Sequence, residues 1–364
     1  MAVGEVSRLQ HDSTLSLRQQ ARNRLIATSL VGLLVTLLAS ISIGATGVSV
    51  TSLPSATWHR LFGGNDLNAA REALVLFELR LPRTLLAAFV GAALAVSGAL
   101  MQGLFRNPLA DPGLVGVSSG AALAAITTIA FGNEFAKPWM DTFGVYGLPV
   151  AAFLGGLVTT LILVAVAGRH GRLMMGTLLL AGIALGALAG ALSGLIAYAS
   201  DDRELRDLTL WSMGSLTGSS WPKVLAILPF AALIAVAIPH LVRGLNGFLL
   251  GEAEAFHMGI DVERTKWIII LTTAACVGAA VAVAGVIGFV GIVVPHIVRL
   301  VAGPDHNVVL PASAILGACL VLLADVFARV VVAPSELPIG IILAAIGAPI
   351  FLHLVLRRGV GGME

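Results

Sequence analysis

"VGAALAVSG", Val90 to Gly98, returns as "VGAAVAVAG", Val277 to Gly285, with seven of nine positions identical. Each copy sits in an apolar run long enough to cross a bilayer. Counted along the chain, the first copy falls in the second such run and the second copy in the seventh, so the two cross in opposite directions. A repeat of inverted direction is a signature of transporters. Chance is the alternative reading, because Ala, Gly and Val abound throughout the chain.

The composition around the repeat agrees with a membrane protein. Of 364 residues, 57% are hydrophobic and 12% charged, and the mean hydropathy is +0.96. No water-soluble core needs that much apolar sequence. With 41 glycines and only 6% aromatic residues, the runs suit closely packed helices, whose interfaces favour small side chains. A β-barrel would show short alternating strands instead. A net charge of +2 gives no argument for nucleic acid. Cys276 and Cys319 both fall within apolar runs, which argues against a structural disulfide.

Apolar runs separated by charge, glycine and proline predict ten membrane helices, near 25–46, 82–105, 112–131, 147–168, 174–198, 224–243, 267–285, 286–302, 308–332 and 338–356. Only Gly285 and Gly288 separate the seventh from the eighth. The fold class expected is an all-α polytopic membrane protein with inverted-repeat halves. Residues 1–24 form a polar cytoplasmic segment, 25–358 the transmembrane domain and 359–364 a cytoplasmic tail. The first run is too long for a cleaved signal peptide and reads as a retained span.

With the N-terminus inside, Arg8, Arg18, Arg22, Arg24, Arg106, Arg169, Arg172, Arg243, Arg264, Lys266, Arg299, Arg357 and Arg358 face the cytoplasm, a majority of the 22 basic residues. Arg80, Arg83 and Arg329 are the exceptions that ask for a reason. In "ELRLPRT", Glu78 to Thr84, the first two flank a proline at the start of span two, where a helix dipole opposes cations. Lipid-headgroup anchoring by snorkelling is one explanation.

Other motifs are read against plainer alternatives. Gly182, Gly186, Gly190 and Gly194 recur one turn apart in span five and predict a smooth face, for packing or for lining a pathway. Asp111 is able to cap a helix whose first turn contains Pro112, which explains it about as well as a substrate role does. "SDDRELRDL", Ser200 to Leu208, predicts a short, solvated, amphipathic helix outside span five. "LLGEAEAFHMGIDVERTK", Leu249 to Lys266, mixes acidic with apolar residues on the cytoplasmic side, as either a loop or a docking surface for a soluble partner. The eight histidines show no metal-ligand spacing. No phosphate loop of the G-x-x-x-x-G-K-[ST] type occurs, so any ATP must be bound by another chain.

Five stretches together resemble one family: "RLPRTLLAAFVGAALAVSGALMQGLFRNPLADPGLVGVSSGA", "LLLAGIALG", "WSMGSLTG", "LGEAEAFHMGID" and the run from "GVIGFVGIVVPHIVRL" to "PIGIILAAIGAPIFL". They are similar, in order and spacing from about Arg80 to the C-terminus, to permeases of the bacterial ABC importers for iron-siderophores, haem and cobalamin. The resemblance implies a type II ABC importer permease of ten helices in the inner (plasma) membrane, with two permease subunits enclosing the pathway. It implies two cytoplasmic ATPase subunits, which bind the ATP and Mg, and a periplasmic substrate-binding protein; the permease itself is not an enzyme and binds no cofactor.

By the same resemblance, Leu249, Gly251, Glu252, Glu254, Ala255, Met258 and Gly259 belong to a coupling helix, about 249–259, that docks on the ATPase. Arg80, Arg83 and Arg329 match the pockets that receive acidic residues of the binding protein. Met174 and Met175, with Gly182 and Gly186, match the pathway and its cytoplasmic gate, where flexible methionine suits closure over a bulky ligand. "NPLADPGLVGVSSGAALAA" reads more like the haem permeases than the siderophore ones, and cobalamin permeases share its proline-glycine-leucine form; haem is the favoured ligand, with siderophore and cobalamin as alternatives and a homodimer expected. An ion-coupled secondary carrier would need an ionisable group at mid-membrane. Asp325 is the one acidic candidate within a span, and pairing with Arg329 one turn later is the simpler reading of it.

Overall fold

The computed structural model of the chain describes residues 2–44, 48, 50–63, 66–132, 134–169 and 172–360, so the last four residues of the expected tail lie outside the described residues. Helices dominate: α1 (Ala2–Ser42), α2 (Leu53–Phe62), α3 (Leu67–Leu74), α4 (Leu81–Leu104), α5 (Val117–Ala130), α6 (Lys137–Phe143), α7 (Gly147–Ala167), α8 (Met175–Ala199), α9 (Asp202–Ser212), α10 (Trp221–Phe248), α11 (Glu252–His257), α12 (Val262–Ala284), α13 (Val290–Ala302), α14 (His306–Val330) and α15 (Ile339–Val360). Gly168–Arg169 and Arg172–Leu173 pair as a two-residue antiparallel ladder.

Seven helical stretches are long and apolar enough to cross a membrane: Arg22–Ser42, Leu67–Leu104, Lys137–Ala167, α8, α10, α12 and α14. Three shorter apolar helices, α5, α13 and Ile339–His353, coincide with the remaining predicted runs. The two shortest stand third and eighth in order, and each follows an irregular segment that enters its helix through a left-handed residue, Gly116 at φ 73° and Phe289 at φ 66°. Short, interrupted segments at equivalent places in two halves are what an inverted repeat produces.

Packing follows the same mapping. α4 lies against α13 and α14, while α12, its repeat counterpart, lies against α5 and α7; α5 packs on α7 as α13 packs on α14. Both copies of the repeat are central, with 78% of the apolar window buried in each of Leu67–Leu104 and α12. Glycine makes the crossings possible. A Cβ on Gly91 would stand 2.3 Å from the Gly317 carbonyl oxygen, and one on Gly98 would lie 1.9 Å from that of Gly291, so α4 meets α14 and α13 backbone to backbone.

Two expectations change. The helix carrying Arg80 and Arg83 begins at Leu67, capped by Asp66, whose carboxylate accepts from the backbone N–H groups of Asn68 and Ala69. It continues through a π-helical segment, Val75–Arg80, into α4. The wide turn, in which the Leu81 N–H reaches the Leu76 carbonyl, absorbs the missing donor and ring of Pro82 without breaking the helix. The arginines are therefore mid-helix, and the dipole objection to them disappears.

The glycine stripe on α8 is also not a single face. Four-residue steps drift about 40° per step around a helix of 3.6 residues per turn. Gly182 is buried, Gly186 stands near Ser119 of α5, and Gly190 and Gly194 have open space around them.

Candidate functional site

The three anomalous arginines meet at one end of the bundle, where α1 finishes. Arg83 on α4 turns its fork onto Asp325 of α14, with Nε to Oδ1 at 3.0 Å and Nη2 to Oδ1 at 2.9 Å. The other side of Asp325 takes Arg329 Nε, with Oδ2 at 3.1 Å. Asp325 is 0% exposed, and the two guanidinium groups give this buried side chain the partners that burial demands. Arg329 also donates to the carbonyls of Ser40 and Ile43. Arg80 Nη1 donates to those of Ile41, Ser42 and Val48. Together they satisfy carbonyls that the end of α1 leaves without helical partners. Ser40 and Thr84 add a buried hydroxyl pair at 2.9 Å.

Arg83 keeps one outward-facing bond, from Nη1 to Glu336 Oε1 at 2.8 Å. Glu336 also accepts from the Thr217 hydroxyl. Burial would push its carboxyl up, but the bonds from Arg83 and Thr217 hold it below the usual glutamate range. Three arginines against two carboxylates leave this cluster with one positive charge.

The opposite end carries the predicted docking segment. α11 is a turn and a half long and rests on the end of α10 through buried Ala255 and Ile260, against Gly247. Gly251 enters it at φ 133°, a backbone conformation that L side chains rarely adopt, which favours glycine there. Gly259, at φ 77°, closes it with a Schellman pattern: Gly259 N–H to the Phe256 carbonyl and Ile260 N–H to that of Ala255. This folding turns Leu249, Leu250, Phe256 and Met258 outward, Leu250 at 66% and Phe256 at 69% exposure. Glu254 is exposed beside them, whereas Glu252 reaches back to the buried ammonium of Lys266.

Near this end, Asp305 accepts from Asn246, from Asn307 and from Arg22 of α1. Burial would raise its carboxyl, yet these bonds hold it below the ordinary range. Arg22 and Ser40 thus touch opposite ends of α14, so α1 and α14 run the same way.

Residues 32–357 match the FecCD transport family. The chain belongs to the FecCD transport family. It is 45% identical over 339 residues to the hemin transport system permease protein HmuU of Yersinia pestis, covering 90% of this chain and 94% of that one. It is 44% identical over 289 residues to the vitamin B12 import system permease protein BtuC of Vibrio cholerae, covering 79% and 84%. A solved structure of a metal-chelate type ABC transporter in an inward-facing conformation superposes with a TM-score of 0.79 at 33% identity, over 92% of this chain and 99% of that one.

As a FecCD permease the chain is a transport subunit of an ABC importer in the plasma membrane, not an ATPase, and its family works with ATPase and binding-protein partners. The expected gate residues stand where α8 begins. Met174 is its N-cap at 53% exposure, and Met175 is half-buried against the core. From there α8 shows its apolar surface outward, with only 11% of its window buried and Leu180, Ile183, Leu188, Leu195 and Tyr198 exposed. Among the described residues, no group of His, Cys, Asp and Glu gathers that could hold a metal ion.

Some of this site was not read from the sequence. Asp325 with Arg329, and Glu263 with Lys266, are one-turn pairs visible in the spacing. Arg83 with Asp325 and with Glu336, and Lys266 with Glu252, cross between elements and left no local trace.

Proposed function

We propose that the chain is the permease subunit of an ATP-driven importer that carries haem from a periplasmic binding protein across the membrane by alternating access. Two copies enclose the pathway, and two cytoplasmic ATPase subunits hold the ATP and Mg. The observation that carries the reading is the identity to a hemin permease along 94% of that protein's length. The exposed apolar face of α8 supports it, since a porphyrin passes such a wall without being ligated. Cobalamin is the second reading, favoured by the 44% identity to a vitamin B12 permease; a ferric siderophore is the third.

In this reading α11 and its exposed Leu250, Phe256 and Met258 dock on the ATPase, and the acidic lobes of the binding protein meet the outer arginine cluster. Its surplus positive charge suits such a partner. Arg83, with Glu336 before it, is the arginine best placed to reach a partner, because Arg80 and Arg329 are only 5% and 8% exposed and engaged with α1. Met174 and Met175 close the cytoplasmic side. The test is ATPase stimulation of the reconstituted complex by binding proteins loaded with haem, cobalamin or a ferric siderophore. Haem is expected to stimulate; stimulation by cobalamin alone would move the chain to the second reading.

A further inference from the structure

Between the cytoplasmic docking surface and the start of α8 runs a continuous line of charged groups. Glu252, in the first turn of α11, places Oε2 2.7 Å from Lys266 Nζ. Lys266 Nζ lies 3.2 Å from Glu263 Oε1. The second oxygen of that carboxylate, Oε2, accepts the backbone N–H of Leu173 at 2.9 Å. Leu173 directly precedes Met174 and Met175, and the Leu178 N–H returns to the Met174 carbonyl at 2.9 Å, so the same strip of backbone opens the first turn of α8.

The lysine is the fixed point of this line. Its residue is 3% exposed, while the side chains of Glu252 and Glu263 are 43% and 31% exposed. A buried ammonium must keep its carboxylates, and the two it holds belong to different elements. The exposed side of α11 is free to be pushed by a soluble partner. Its inner side is tied through Lys266 to the backbone that sets the direction of α8.

We propose that Lys266 is the positioning residue that transmits displacement of α11 to the Met174–Met175 end of α8, through Glu252 on one side and Glu263 on the other. This rests on the reading of α11 as the ATPase-facing helix and of Met174 and Met175 as the gate. The line is short, crosses three elements and is held by charge at each junction except the last, where a carboxylate holds a backbone amide.

The test uses the full complex of permease and ATPase in nanodiscs. Met174→Cys is read by its rate of maleimide labelling, before and after trapping the ATPase with ATP and vanadate; Cys276 and Cys319 are buried. Lys266→Met fits the buried position, and both glutamates retain water, so the complex is expected to assemble and hydrolyse ATP. Trapping is expected to change the labelling rate about two- to thirtyfold in the parent, the range of couplings carried by such networks. The change is lost in K266M and restored in Lys266→Arg, which keeps the charge for both carboxylates.

An undiminished change in K266M overturns the relay. Failure of K266M, but not K266R, to assemble makes Lys266 a structural residue and overturns it too. A parent that shows no change on trapping removes the gate reading and the relay with it. Normal ATPase assembly by Phe256→Asp removes the docking reading of α11 instead, which separates that failure from failure of the relay.

Discussion

Replacing Asp325 by Asn tests whether the outer arginines are held by this chain's own charges. The side chain keeps its size and one acceptor oxygen, but the cluster goes from one net positive charge to two. Arg83 and Arg329, with side chains only 14% and 7% exposed, then face each other across a neutral amide. Breaking a buried pair while leaving its partner costs about 3–5 kcal/mol, and here two partners are left. A loss of at least about 3 kcal/mol is therefore expected for D325N, read by denaturant unfolding in mixed micelles. Removing one cation as well, in D325N with Arg83→Gln, relieves the excess charge. The double variant should lose clearly less than the sum of the singles. Unchanged stability in D325N, or strict additivity in the double, would refute the charge-sharing argument.

Three further outcomes follow. Arg80→Glu sets a carboxylate against the carbonyls of Ile41, Ser42 and Val48, so it should lower the yield of folded permease on gel filtration, whereas Arg83→Gln should fold and weaken binding-protein capture. Phe256→Ala removes an exposed side chain whose burial against a partner is worth about 1.5–3 kcal/mol, and should weaken ATPase association about tenfold or more without altering permease unfolding. Glu336 and Asp305 are held below their ordinary carboxyl values, so their stabilisation is present above those ordinary values and is lost as pH falls through the lower folded ones. Hydrogen-exchange protection in 331–338 and 303–307, after correction for the intrinsic pH dependence of amide exchange, should fall in that acidic window and stay constant from there to neutrality.

How much could be read beforehand divides by the range of the interactions. Apolar length and small-residue content are local, so the runs and their order were legible, as was the repeat, whose Gly91 and Gly98 sit at backbone-close crossings. Between α12 and α13 the sequence offers only Gly285 and Gly288, too little to fix where one span ends and the next begins. The start of the second membrane helix was not legible either, because Pro82 reads as a helix boundary when a π-helical turn has absorbed it. The face formed by the α8 glycines was misread because a four-residue repeat drifts around a 3.6-residue helix. Arg80 and Arg83 were legible as an anomaly, but the partners that this chain itself provides for them were not. Their partners stand at Ile41, Asp325 and Glu336, and a sequence carries no spacing signal for contacts between helices so far apart in the chain.

The central claim is tested most directly by uptake into proteoliposomes holding this permease with its ATPase, supplied with haem-loaded binding protein. Haem should accumulate only with hydrolysable ATP inside the coupling-competent complex, and accumulation should stop with an ATPase-inactive partner. Haem uptake driven by an ion gradient without ATP, or ATP-driven uptake of cobalamin with none of haem, would contradict the account.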